Sequence, residues 1–81
     1  MDRPIPLKQL RRALKAYGVL ESPDRGKGSH TYFHKLVDGN EIGYPIPTTR
    51  EPVLRAYIKG ARRRFKLTPA DGITDKEFYG Q

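Results

Sequence analysis

The sequence predicts an α+β domain in the order helix, strand, strand, strand, helix. The strands form an antiparallel three-stranded sheet, with both helices on one face and a short helical turn at the C-terminal end. Three observations carry this expectation. Apolar residues recur at spacings of three and four in two stretches, one near each end of the chain. Between them lie runs rich in β-favouring residues, punctuated by turn signals. The 81 residues are enough for one modest core and no more, so the whole chain, 1–81, is expected to be a single domain. Residues 1–6 form an N-terminal arm and residues 67–81 a C-terminal appendix.

The first helix is expected over residues 7–17. Pro6 precedes it, where a missing N–H costs nothing. Leu7, Leu10, Leu14 and Tyr17 share one face, and Lys8, Arg11, Arg12 and Lys15 line the other. Gly18 is a natural stop. Residues 19–22 read as a short strand and 23–26, Pro-Asp-Arg-Gly, as a turn. A second strand follows over residues 29–37, rich in Tyr, Phe and Thr. Asp38-Gly39-Asn40 is the clearest hairpin signal, because Asp-Gly tolerates the positive φ of a tight turn. The third strand covers residues 41–46; Pro45 and Pro47 end it or place it at a sheet edge.

The second helix is expected over residues 50–65, with Thr49 as N-cap and Pro52 in the first turn. Leu54, Ile58, Ala61 and Phe65 make its apolar stripe, widened by Val53 and Tyr57. Arg55, Lys59, Arg62 and Lys66 make a second stripe about 100° around the cylinder. Gly60 weakens this helix, which therefore depends on packing. Thr74 and Glu77 have capping-box spacing ahead of Phe78 and Tyr79, which predicts a short helical turn anchored by an aromatic ring.

The formal charge is +7, with 16 Lys and Arg against 9 Asp and Glu. Such a surplus favours a polyanionic partner, nucleic acid before an acidic protein or a membrane surface. There is no cysteine, which excludes disulfides, zinc–thiolate sites and cysteine nucleophiles. A small domain without such staples is expected in the cytoplasm. No run approaches the roughly 20 apolar residues needed to span a bilayer. The carboxylates are scattered, and a His30-x-x-x-His34 pair on a strand is too widely spaced for easy chelation, so no metal and no small-molecule cofactor is expected.

The candidate chemistry is concentrated in residues 26–34, Gly-Lys-Gly-Ser-His-Thr-Tyr-Phe-His, which hold both histidines of the chain. Glycine lets a backbone approach a phosphate, and Lys27 is a mobile cation beside Gly28 and Ser29. Alternation along a strand puts His30, Tyr32 and His34 on one face and Thr31, Phe33 and Lys35 on the other. Two imidazoles flanking a tyrosine, or one imidazole with a nearby cation, could serve as acid and base in metal-free RNA cleavage. A base takes the proton of the 2′-hydroxyl, a cation steadies the phosphate, and an acid protonates the leaving oxygen. Only RNA supplies that hydroxyl. Each feature also has a plain reading: the glycine turn connects strands, the aromatic residues pack, and the cations form solvated helix faces.

The chain resembles the HicA (YcfA-like) toxin family over most of its length, from Leu7 to Ala61. The resemblance rests on an ordered set of anchors: Leu10-Arg11-Arg12-Ala13-Leu14-Lys15-Ala16-Tyr17-Gly18-Val19, Lys27-Gly28-Ser29-His30, Asp38-Gly39, Tyr44-Pro45, and Leu54-Arg55-Ala56-Tyr57-Ile58-Lys59-Gly60-Ala61. The Gly-Ser-His after a helix and a short strand is its most specific mark. The resemblance implies a double-stranded-RNA-binding-domain-like fold, a ribosome-independent mRNA endonuclease (an mRNA interferase) and neutralisation by a HicB-like antitoxin. The family's catalytic histidine carries over onto His30. In that reading His30 is the general base, Lys27, Gly28 and Ser29 hold a phosphate, and Lys35, Arg55, Lys59 and Arg62 contact the RNA backbone. His34 and Tyr32 are auxiliary candidates. The chain departs from the family pattern where Pro47 stands in place of a further histidine, where Arg62-Arg63-Arg64-Phe65 extends the second helix, and where an insertion precedes Thr74. A non-catalytic RNA-binding module and an adaptor for an acidic protein are the competing expectations on the same fold.

Overall fold

The computed structural model describes residues 1–25 and 28–81. Its element order is α1 (Leu7–Ala16), β1 (Leu20–Ser22), β2 (His30–Val37), β3 (Asn40–Pro47), α2 (Arg55–Arg64) and α3 (Asp75–Tyr79), with single 3-10 turns at Pro23–Arg25 and Pro69–Asp71. The sheet is antiparallel in the order β1-β2-β3, so β2 is central and both prolines of β3 lie on an edge strand. Asp38 and Gly39 join β2 to β3 with φ of 53° and 82°, the two positive angles that this tight turn requires.

Leu10, Ala13 and Leu14 of α1, Ile58 and Ala61 of α2, Phe33 and Ile46 of the sheet, and Phe78 of α3 all join one core. The α+β expectation therefore holds: a helix, three antiparallel strands and a helix, with both long helices on one sheet face and a short third helix closing the end. Thr74 accepts the Glu77 N–H and Glu77 reaches back to the Thr74 N–H, the anticipated capping box. Both Phe78 and Tyr79 are buried.

Two expectations are corrected. The first is the start of the second helix, at Arg55 rather than residue 50. Val53 is buried and extended, and its N–H donates to the Ile5 carbonyl at 2.8 Å in an isolated bridge. That long-range pairing ties the N-terminal arm to the segment before α2. It leaves Leu54, not Thr49, as the N-cap and exposes Leu54 and Tyr57. Glu51 lies outside the helix and serves α1 instead, accepting the Leu7 N–H at 3.0 Å. A carboxylate at a helix N-terminus meets both an unpaired donor and the positive end of the dipole.

The second correction is Arg62. It belongs to the basic stripe by periodicity, but it is only 2% exposed. Its Nη1 donates to Asp2 (2.8 Å) and Asp75 (2.6 Å), its Nε to the Leu67 carbonyl (2.8 Å) and its Nη2 to the Ile73 carbonyl (3.1 Å). The guanidinium also lies 4.5 Å from the Phe78 ring centroid. Burial acts to lower its pKa, but hydrogen bonds and charge from Asp75 and Asp2 outweigh this and leave it raised. Arg62 fastens the N-terminal arm and α3 to α2 and is buried away from an outside phosphate.

Candidate functional site

The site face follows from how β2 is held. Thr31 and Phe33 point into the helix layer and are buried. Thr31 Oγ1 donates to Glu21 at 2.5 Å, and the Arg11 Nε donates to the same carboxylate at 2.9 Å. This chain locks α1, β1 and β2 together and fixes which way each strand faces. By alternation His30, Tyr32 and His34 stand on the opposite, uncovered face.

His30 is exposed and opens β2, across from Pro47. The backbone just before it is pinned: both the N–H and the hydroxyl of Thr48 donate to the Ser29 carbonyl, at 2.6 and 3.0 Å. Gly28 has φ +48°, and a side chain there would meet nothing within 4 Å. Its freedom therefore serves the turn and not a close contact. Ser29 Oγ shares a hydrogen bond with His30 Nδ1 at 3.2 Å. Nε2 has no partner among the described residues, so one ring nitrogen is oriented while the other meets solvent. Gly26 and Lys27 lie outside the described residues, and with them the Lys27 expectation.

His34 does not join His30 at one reacting centre. Four residues of strand separate their backbones by about 13 Å, at roughly 3.3 Å per residue. One phosphodiester cannot receive both rings as base and acid. His34 is instead held by β1, its Nε2 sharing a 2.7 Å hydrogen bond with Ser22 Oγ. Its ring is stacked with Tyr32, centroids 5.9 Å apart at 23°.

The predicted phosphate contacts divide between two layers. Ser29 and Gly28 adjoin His30. Lys35 is opposite Ile42 on the helix-facing side of the sheet, and Arg55 and Lys59 are exposed on α2 in the far layer. Arg62 is buried, as described above. In place of these, the structure brings Arg25 to the open face. Its guanidinium lies 4.6 Å from the Tyr32 ring centroid and 3.2 Å from the Glu41 carboxylate. Only the pairing of Ser22 with Tyr32 could have pointed to Arg25, because it brings the following turn beside that ring. Tyr32 leans across Gly43: a methyl group there would fall 1.6 Å from its hydroxyl. Gly43 is thus the floor that lets the ring lie over β3. Among the described residues no cluster of metal-ligating side chains occurs, and no helix is long and apolar enough to cross a membrane.

Comparison with protein-family models, with curated proteins and with solved structures finds no match to this chain.

Proposed function

We propose that this chain is a HicA-like mRNA endonuclease, the toxin of a type II toxin–antitoxin pair, acting in the cytoplasm on a double-stranded-RNA-binding-domain-like fold. The observation that carries the reading is His30: an exposed imidazole with one nitrogen oriented by Ser29 and the other facing solvent, at the mouth of a glycine turn in a +7 chain. Imidazole exchanges protons near neutral pH. His30 Nε2 takes the proton of a ribose 2′-hydroxyl; the 2′-oxygen bonds to phosphorus, and the bond from phosphorus to the 5′-oxygen breaks, leaving a cyclic phosphate. Water protonates the departing 5′-oxygen, since His34 is too distant for that role. Ser29, the Gly28 backbone and Lys27 hold the phosphate, and the chemistry needs no metal. A HicB-like acidic antitoxin silences the protein by covering His30.

The test is a labelled mRNA incubated with purified protein in the presence of a chelator. His30→Ala is expected to lower cleavage by about 10²–10⁴, the usual worth of a general base, and to abolish growth arrest without shifting the melting temperature. Cleavage by that variant at the wild-type rate would falsify the assignment. The competing reading, a non-catalytic RNA-binding module, is favoured by the fact that, among the described residues, the one side-chain hydrogen bond of His30 goes to Ser29 and not to a second titratable group. It requires steeply salt-dependent binding with no fragments.

A further inference from the structure

Next to His30, the open face carries a cluster that single-site cleavage chemistry does not use. Along β2 and its neighbours lie His34 stacked with Tyr32, Arg25 against the Tyr32 ring, and Glu41 holding Arg25. The cluster draws on all three strands and the turn after β1. Ser22 of β1 orients His34, Gly43 of β3 seats Tyr32, and Arg25 comes from the turn after β1. The Arg25–Glu41 pair is the loose part, with side chains 51% and 52% exposed.

We propose that Tyr32 and His34 are a stacking platform for unpaired bases, with Arg25 as an exchangeable cover, so that the molecule engages single-stranded rather than duplex RNA across its open sheet face. This deepens the RNA reading above and rests on it. The spacing supports it. Tyr32 is two residues from His30, about 6.6 Å along the strand, which is close to the rise of one nucleotide in an extended chain. A phosphate beside His30 would place the adjacent base over Tyr32. The charge logic also fits. A phosphate competes with Glu41 for Arg25, and Arg25 swinging onto the backbone uncovers the ring that it shields. Both halves of a nucleotide are then recognised, the phosphate by the guanidinium and the base by the ring. A duplex cannot use such a platform, because its bases are stacked on each other and its sugar–phosphate exterior meets the protein first. Leu20 and Leu36, 61% and 69% exposed on the same face beside His34, extend the apolar floor for a second base.

The experiment uses the full chain carrying His30→Ala to prevent turnover. Fluorescence anisotropy measures binding of a 12-nucleotide single strand and of its duplex. The platform predicts at least tenfold tighter binding to the single strand. Adding Tyr32→Leu weakens single-strand binding about tenfold, since one stacked base is commonly worth that much or more, while Tyr32→Phe stays near the parent. Equal or tighter duplex binding, or an indifferent Tyr32→Leu, overturns the platform. Should Tyr32→Leu fail to fold, photo-crosslinking of 5-bromouridine RNA to the His30→Ala chain decides: adducts on Tyr32 or His34 support the proposal, and adducts confined to α1 or α2 overturn it. Cleavage by the wild-type chain is scored separately. Cleavage dependent on His30 with an indifferent Tyr32 removes the platform and keeps the nuclease. Single-strand binding through Tyr32 without cleavage removes the nuclease and keeps the platform. An acidic protein that holds this face and is not displaced by RNA overturns it.

Discussion

Replacing Arg62 separates two accounts of the basic second helix. As a phosphate contact, Arg62→Met would weaken RNA binding and leave the fold alone. As the buried fastener seen here, it must unfold the chain more easily. Removing one side of a buried ion pair costs about 3–5 kcal/mol. Asp2 and Asp75 retain some contact with water (17% and 33% exposed) and can rehydrate, which favours the lower end, about 3 kcal/mol. Domains have about 0.05–0.15 kcal/mol of stability per residue, so 81 residues hold roughly 4–12 kcal/mol. The loss is therefore a quarter to most of the total. At about 4–8 °C per kcal/mol for a domain of this size, the melting temperature should fall by about 12–24 °C. Arg62→Lys keeps the charge but not the fork of donors that reaches two carboxylates and two carbonyls, so it should fall between. Thermal melts followed by circular dichroism at pH 7 check this. A shift under about 4 °C for Arg62→Met would mean that the fastening contributes little, and the reasoning fails.

Three further outcomes follow from the same contacts. Asp75, Asp71 and Glu77 have pKa values lowered, by the N-terminal ammonium and Arg62, by Thr68 and by Thr74 respectively, so the stability they supply is present above the ordinary carboxylate range and is lost as pH falls through their lowered values. Tyr79 is raised from 10.0 to about 12 by burial and its bond to Asp2, so it holds its proton longer folded than unfolded and stability declines across that interval; urea midpoints against pH should show both limbs, and Tyr79→Phe should flatten the alkaline one. Gly60→Ala should not stabilise α2 despite a propensity gain of about 1 kcal/mol, because the new methyl group would lie 2.1 Å from the Tyr44 hydroxyl; in a Tyr44→Leu background the gain should reappear in denaturant midpoints. Arg25→Gln should reduce the slope of log affinity against log salt by about 0.7 in RNA titrations, whereas Tyr32→Leu should lower affinity at every salt with the slope unchanged.

Most of the fold was legible because its signals are local. The Asp-Gly turn, the Thr74–Glu77 box and the alternation that puts His30, Tyr32 and His34 on one face each involve residues within a few positions of one another. What the sequence hid was non-local. Val53 is extended because it pairs with Ile5, and nothing near Val53 encodes that. Arg62 falls on the same helical stripe as Arg55 and Lys59; it is buried because a chain end and α3, carrying Asp2 and Asp75, fold over that turn of the cylinder. Two acidic residues near opposite ends of a basic chain were the available hint. Arg25 reads as a turn residue until the register of β1 on β2 brings it beside Tyr32. Half of the candidate site was thus visible as a strand face, and the other half required a pairing scheme.

The carboxylates show how a strongly basic chain of this size can fold and still present charge. Eight of the nine have an internal structural partner: Asp2 and Asp75 hold Arg62, Glu21 bridges Arg11 and Thr31, Asp38 meets Lys66, Glu41 meets Arg25, Glu51 caps α1, and Asp71 and Glu77 cap the C-terminal turns. The acids are fasteners, so few remain to neutralise the surplus of Lys and Arg. The fastenings are graded by exposure. The Arg62 side chain is 2% exposed, so an outside anion could reach it only by unfolding the appendix. Arg25 and Glu41 are both more than half exposed, and an exposed pair contributes about 0–1 kcal/mol. A phosphate can therefore displace Glu41 at little expense to the fold. A polyanion exchanging ion pairs with this molecule would do so at exposed pairs such as Arg25–Glu41 on the open face or Lys66–Asp38 at the β2–β3 turn, and not at the buried arginine of the second helix.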